Sequence, residues 1–374
     1  MKKVLIHTIN DDANFGNRLQ NFALQHVLNT RYNVTAVTQQ TNSQEKYYSL
    51  ANDMRQWLLG RVINTVLKSK TMPLKKSWMW RKRNSVFRDF TKQFVPKAHD
   101  SFDESTVDTF VVGSDQVWNP EFRNYLEADF LPNVPKSKKI AYAASIGANP
   151  EKLSYEEKDV FRKNIQTFAS VSMREQDATQ FIDDMYDGDV TTVLDPTLLV
   201  DKKVWEELAS KSKFVVQRPY VLTYFLGSLS SEKRKYIETL ANKNNAEVIE
   251  INNPDKTYFG EIGPLEFLYL MQNSLMNFTD SFHAVVFSLI NEKPFQIFSR
   301  VDAGINKSMN SRLDTLLHAV ELQDRWKIDD FDKFEMAPIN YKEVNHRIQN
   351  GVQNSIFWLD QALNKQGITR KEVQ

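Results

Sequence analysis

Short apolar runs recur along the chain, and each ends in a polar or glycine-bearing cluster. Val4-Leu5-Ile6 leads into a polar stretch from Asn10 to Asn17 that holds Gly16. Phe110-Val111-Val112 leads into Gly113-Ser114-Asp115, and Ile140 to Ala144 into Ser145 and Gly147. Phe168 to Ser172 ends at Arg174-Glu175, and Thr192-Val193-Leu194 at Asp195-Pro196. Between several of these runs, apolar residues return at helical spacing, as at Leu19, Phe22, Ala23 and Val27. Short continuous apolar strands alternating with helices are the signature of a parallel sheet covered on both faces. In such sheets ligands bind beyond the carboxyl ends of the strands, so these clusters are the places to look for chemistry.

A second series of the same kind begins after Lys211 to Pro219, which reads as a linker. Its strands are expected at Tyr220 to Phe225, Ala246 to Ile251, Leu275 to Phe278 and Pro294 to Phe298, and a helix from Tyr341 to Leu363 ends it. The chain has 374 residues, more than one core of ordinary size organises. The expectation is an N-terminal α/β domain over 1–210 and a C-terminal α/β domain over 211–374 that ends in a long helix. The rhythm breaks at about 46–100, read as two or three inserted helices. From Arg61 to Lys97 the charges are almost all basic, opposed by Asp89, with Trp57, Trp78, Trp80, Phe87, Phe90 and Phe94 interleaved.

Composition matters mainly for what it excludes. There is no cysteine, hence no disulfide, thiolate metal site or cysteine nucleophile. The six histidines show no coherent metal-ligand spacing, and no metal is expected. The net charge of +1 does not call for a polyanionic partner. The N-terminal apolar run stops after three residues at a polar stretch, unlike an export signal, so the protein is expected in the cytoplasm.

Each cluster carries a functional and a plain structural reading. Gly16 at a strand-to-helix turn leaves backbone N–H groups where an anion is favoured; Asn14 and Asn17 serve equally as turn and cap residues. Arg174 offers a planar fork for a phosphate or carboxylate, or a salt bridge with Glu175 or a nearby acid. His283, in Thr279-Asp280-Ser281-Phe282-His283, is placed to move a proton, or is a satisfied structural histidine. Ser114 and Asp115 either meet an acceptor hydroxyl, with Asp115 as base and Trp118 stacked on a sugar, or cap a helix with Trp118 in the core. Asp195-Pro196 reads chiefly as a turn, and His7 as a core or supporting residue.

The order of these clusters resembles the polysaccharide pyruvyl transferase family, from about residue 3 to about 320. The specific pieces are Gly16-Asn17-Arg18-Leu19-Gln20-Asn21-Phe22-Ala23-Leu24-Gln25, Val112 to Pro120, and Thr279 to His283 before Lys293-Pro294-Phe295. The resemblance implies two Rossmann-like parallel-sheet domains facing a cleft, a GT-B-like fold. It also implies phosphoenolpyruvate as donor, a pyruvate ketal on a sugar as product, and no required cofactor. It assigns donor binding to Arg174 and donor binding or catalysis to His283. Many members carry an arginine two residues before that histidine, where this chain has Ser281; Ala284 stands where glycine is common. That charge is then either missing or supplied from elsewhere, with Arg312, Lys307 and Arg300 as the candidates.

The acceptor expected from the resemblance is a sugar, oligosaccharide or lipid-linked glycan. The basic aromatic stretch over 57–97 is either a solvated helical face with its aromatics buried or a binding surface, for which contact with the inner face of a membrane or with a diphosphate-linked acceptor ranks above nucleic acid. Two other functions remain open: a glycosyltransferase that takes a nucleotide sugar, and a non-catalytic glycan- or membrane-binding protein.

Overall fold

The computed structural model describes residues 1–11, 13–39, 74–99, 102–121, 126–299, 311–326 and 337–372, with side chains from 78 onward in the helix that begins at 74. The first unit holds β1 (Lys2–His7), α1 (Phe15–Arg31), β2 (Val34–Thr38), α2 (Leu74–Phe94), β3 (Thr109–Val112) and β4 (Lys139–Ala144). It continues with α3 (Tyr155–Asn164), β5 (Ser170–Met173), α4 (Gln176–Asp183), β6 (Val190–Thr192) and α5 (Lys202–Ala209). The second holds β7 (Tyr220–Tyr224), α6 (Ser231–Lys243), β8 (Glu247–Glu250), α7 (Pro264–Asn273), β9 (Met276–Thr279), α8 (Phe282–Ile290), β10 (Phe295–Ile297), α9 (Ser311–Val320) and α10 (Tyr341–Lys365).

The strands form two sheets, ordered β2-β1-β3-β4-β5-β6 and β10-β9-β7-β8, and every strand pair is parallel. These are the two parallel-sheet α/β series expected from the strand rhythm. The central strands β3, β4 and β5 are buried along their whole length, their polar members Thr109, Lys139, Ser170 and Ser172 included. Strand β6 ends at Thr192, earlier than the apolar run Thr192-Val193-Leu194 does. Leu194 leaves the ladder because its N–H donates to Ser355 Oγ at 2.9 Å.

Helix α1 joins the two units. Its first residue, Phe15, stacks on Phe267 of α7 at 4.9 Å, lies 4.9 Å from Phe87 of α2, and meets Tyr224 of β7 edge-on. Of the expected insertion, 46–73 lies outside the described residues, and 74–94 is the single helix α2. One face of α2 is core: Phe87 and Phe90 are buried, as is Arg83. The Arg83 guanidinium donates to the Ile251 and Phe259 carbonyls and lies 4.3 Å from the Phe259 ring. Burial pulls its pKa down to about 10. Part of the basic aromatic pattern is thus a bracket that ties the first unit to the second.

Helix α10 crosses back. Near its start Asn345 bonds Glu292 of the second unit, while Asp360 accepts from Tyr32 of the first at 2.8 Å. Its 25 residues span about 37 Å at the usual rise, enough to reach both sheets. The region after 211 therefore does not close on itself.

Candidate active site at the seam between the sheets

The strand-end clusters converge. Arg174 lies directly past β5, Asp115 past β3, Asp195 past β6, Asn17 in the first turn of α1, and His283 in the first turn of α8. The centre is Asp195, whose side chain is fully buried. Its Oδ2 accepts from Arg174 Nη1 at 2.8 Å and from Ser114 Oγ at 3.4 Å, and lies 3.6 Å from His283 Nε2. Its Oδ1 accepts from the N–H of Thr197 at 3.0 Å and from its hydroxyl at 2.6 Å. The other arm of Arg174, Nη2, reaches Asp115 Oδ1 at 3.2 Å, and Asp115 Oδ2 accepts from Asn17 Nδ2 at 3.0 Å. Asn17 in turn accepts from buried Arg18 at 2.6 Å.

Asp115 has φ 66°, a left-handed conformation that a side chain with a local hydrogen-bonding role tolerates. Gly113, two residues earlier, has φ 109°, which glycine alone adopts easily. The loop therefore turns sharply off β3 and aims Asp115 at Arg174.

Charge explains the protonation states. Burial alone raises the Asp195 carboxyl, but His283, then Arg174 and Thr197, carry it far below the ordinary carboxylate range. Burial also raises Asp115, and Arg174, His283, Asn17 and Arg312 bring it below its usual value. Arg174 moves the other way: burial lowers it, and Asp115, Asp195 and Glu175 raise it above its usual value. A carboxylate of reduced proton affinity is a poor base. Asp115 is better suited to holding Arg174 than to accepting a proton.

The aromatic ring of Phe282 lies under both cations, 4.8 Å from the Arg174 guanidinium and 5.9 Å from that of Arg312. Arg312 is buried in the first turn of α9. With Arg174, Asp195 and Phe282 it lines a cavity of about 170 Å³. The remaining walls include Leu194, Leu198 and Leu316. Arg174 Nε and His283 Nε2 are buried and have no hydrogen-bond partner among the described residues. A buried donor without a partner costs about 1–3 kcal/mol, and such atoms are commonly kept for a ligand.

Several expectations change in the light of this geometry. Trp118 is fully buried, stacked on Phe130 at 4.9 Å, with Nε1 donating to the Asp129 carbonyl. It belongs to the core and offers no face to a sugar. Asn14 caps α1, accepting from the Asn17 N–H at 3.1 Å, so its side chain is occupied by the helix. Ser114 turns inward to Asp195 and accepts from the Asp115 N–H at 2.6 Å. Ser281 begins α8 without a side-chain cap bond. Gly16 lies against His283. Arg300 and Lys307 lie outside the described residues, and Arg312 is the candidate that reaches the site. His7 is a supporting residue, bonded to Gln39 and to Asp129.

Sequence reasoning undervalued Asp195 and missed Phe282 and Thr197. Asp195 follows a strand end like the other site residues, which was the available signal. The turn reading is also true, since Asp195 caps the short turn over Pro196–Leu199 through Thr197. Among the described residues no group of acidic and histidine side chains is arranged to hold a metal ion.

Buried arginines, carboxylates and a histidine thus meet at the strand ends of a two-sheet parallel α/β protein, where such folds bind ligands. The model of the polysaccharide pyruvyl transferase family matches residues 14–300, and the chain belongs to that family. No curated protein matches. Solved structures that are similar include a UDP-N-acetylglucosamine 2-epimerase, described as putative, from Listeria monocytogenes, with TM-score 0.45, 8% identity, and coverage of 98% of this chain and 91% of that one. A UDP-GlcNAc 2-epimerase from Neisseria meningitidis gives TM-score 0.41 and 12% identity over 97% of this chain and 94% of that one. One from Methanocaldococcus jannaschii gives 0.43 and 12% over 93% and 92%. At these similarities nothing about the site carries over.

Proposed function

We propose that the protein transfers the pyruvyl unit of phosphoenolpyruvate to a sugar of a surface polysaccharide or its precursor, forming a ketal. The observation that carries this reading is the pairing of Arg174 and Arg312 across one ring, on a cavity that also holds Asp195. The donor presents a phosphate and a carboxylate, and guanidinium forks suit both. A cavity of about 170 Å³ is smaller than the roughly 300 Å³ at which sites for larger ligands begin. It suits a three-carbon phosphorylated acid better than a nucleotide sugar.

In this scheme the methylene carbon of the donor takes a proton, which makes the adjacent carbon oxocarbenium-like. One sugar hydroxyl attacks that carbon, phosphate leaves, and a second hydroxyl of the same sugar closes the ketal. Of the two hydroxyl protons, one balances the new methyl group and the other the released phosphate. His283 handles a proton or the leaving phosphate, and Arg174 with Arg312 holds the donor's anionic groups. Cationic side chains preorganised at the leaving group stabilise its charge without a cofactor.

The test is direct. Purified protein with phosphoenolpyruvate and candidate glycans should release phosphate and yield a ketal product. In thermal shift, phosphoenolpyruvate should raise the melting temperature and nucleotide sugars should not. The reverse ranking, together with glycosyl transfer, sinks the reading in favour of a nucleotide-sugar enzyme.

The acceptor reading extends to α2. Trp78, Arg81, Arg88 and Lys92 are exposed and their spacing puts them on one helical face. An anionic surface would gain about 1 kcal/mol for each such cation. No helix among the described residues is long and apolar enough to cross a membrane, so the contact would be peripheral. Sedimentation with phosphatidylglycerol vesicles should show binding that high salt removes and that Arg81→Glu with Arg88→Glu abolishes. Equal binding by that variant removes α2 from the account.

A further inference from the structure

We propose that Asp195 is the positioning residue of this site, the carboxylate that sets Arg174 and His283 relative to each other. The inference rests on the functional reading above for its kinetic consequence, and on geometry alone for its structural one. One oxygen of Asp195 serves both functional side chains, at 2.8 Å from Arg174 Nη1 and 3.6 Å from His283 Nε2. The other oxygen is fixed by both donors of Thr197. The side chain therefore cannot turn without losing bonds at both ends. Its neighbour Pro196 lies in the short turn that follows, where a fixed φ stiffens the backbone.

A carboxylate beside an imidazole orients the ring and stabilises its protonated form when a proton arrives. At 3.6 Å the contact exceeds hydrogen-bond length, so the pair is held close without being locked. The same carboxylate leaves Arg174 Nε unpartnered among the described residues, while Nη1 and Nη2 are committed to Asp195 and Asp115. Asp195 thus fixes the guanidinium and keeps one N–H of it for a ligand. Asp115 differs in its support: its second oxygen is held by the single amide of Asn17, and its side chain is 12% exposed against 0% for Asp195.

The variant Asp195→Asn keeps the shape and removes the charge. In the full-length protein with nitrogen-15-labelled histidine, the His283 ring signals are identified by their absence in His283→Asn. They should shift in Asp195→Asn, because the ring loses the charge that faces Nε2. Unchanged His283 signals overturn the inference. In kinetics, Asp195→Asn should lower kcat about 10- to 100-fold, part of what a general acid contributes. The KM for phosphoenolpyruvate should stay level or fall, because Arg174 loses a competing negative charge. A raised KM with unchanged kcat instead makes Asp195 a donor-binding residue and also overturns the inference.

If Asp195→Asn does not fold, Thr197→Val serves. It removes the hydroxyl that holds Asp195 Oδ1 and is nearly isosteric. The same shift of the His283 signals is expected, with a smaller loss of kcat, and an unmoved spectrum again overturns the proposal. If the wild-type protein turns over no phosphoenolpyruvate, the functional reading fails, and the spectra still decide the role of Asp195.

Discussion

Replacing Arg174 by alanine should remove donor binding and, at neutral pH, about 3–5 kcal/mol of folding stability, the usual cost of taking one partner from a buried ion pair. The side chain is 1% exposed and bonds two carboxylates. Its loss leaves Asp115 and Asp195 facing each other in a low-dielectric setting with no guanidinium between them. The sign with pH follows from the depressed carboxyls. In the wild-type protein both Asp115 and Asp195 lie below their usual values. Their contribution is therefore fully present above the unfolded value, about 3.9, and fades as pH falls toward the folded ones. In Arg174→Ala the effect of burial, which raises both groups, is no longer opposed by that cation, and acid relieves the repulsion. The stability deficit against wild type should be largest near neutrality and shrink toward about pH 4. Urea unfolding midpoints at several pH values measure it; a deficit independent of pH removes the two carboxylates from the explanation. Arg174→Lys should recover part of the stability, because it keeps the charge, but little donor affinity, because it loses the fork. Calorimetric titration with phosphoenolpyruvate separates the two.

That pair of carboxylates also shows where the sequence was legible and where it was not. The position of Arg174 at a strand end was readable, because a short apolar run that stops at a charged residue marks the carboxyl edge of a parallel sheet. Its partner was not. Glu175 is adjacent in sequence, yet its carboxylate turns away to accept from Ser145 Oγ and from the Ile146 and Gly147 N–H groups. The true partners are 59 and 21 residues away, on loops that only the sheet order brings together. Trp118 failed for a related reason. A tryptophan just past a strand end is consistent with either a ligand face or the core, and the packing of Phe130, Phe161 and Phe168 around it decides for the core. The arginine missing at Ser281 was legible as an absence. That Arg312 approaches the same ring from α9 is a fact of tertiary packing, since 31 residues of chain separate them.

Gly16→Ala tests the other half of the site and should be the most informative small change in the molecule. Helix propensity alone favours the substitution, by up to about 1 kcal/mol in a helix interior. Packing forbids it. A Cβ at position 16 would lie 2.1 Å from His283 Nδ1, 2.5 Å from its Cγ and 2.9 Å from its Cβ. The clash extends from Nδ1 through Cγ to the Cβ at the root of the ring, so a small rotation of the ring does not relieve all of it. Either α1 moves away from α8 or His283 leaves its place beside Asp195. Overpacking of this kind costs about 1–3 kcal/mol, and displacing a reacting group by about 1 Å costs roughly 100-fold in rate. Gly16→Ala should therefore reduce turnover nearly as far as His283→Ala does, while the fold survives. The pair forms a diagnostic cycle. In a His283→Ala background the ring atoms at 2.1 and 2.5 Å are gone and the Cβ at 2.9 Å remains, so most of the penalty of Gly16→Ala should disappear there. Loss of most of the penalty between the two backgrounds, read from melting temperatures, identifies the imidazole as the obstacle. If Gly16→Ala keeps wild-type turnover, the position of His283 is not what the reaction depends on, and the chemistry assigned to that residue must pass to another group in the seam.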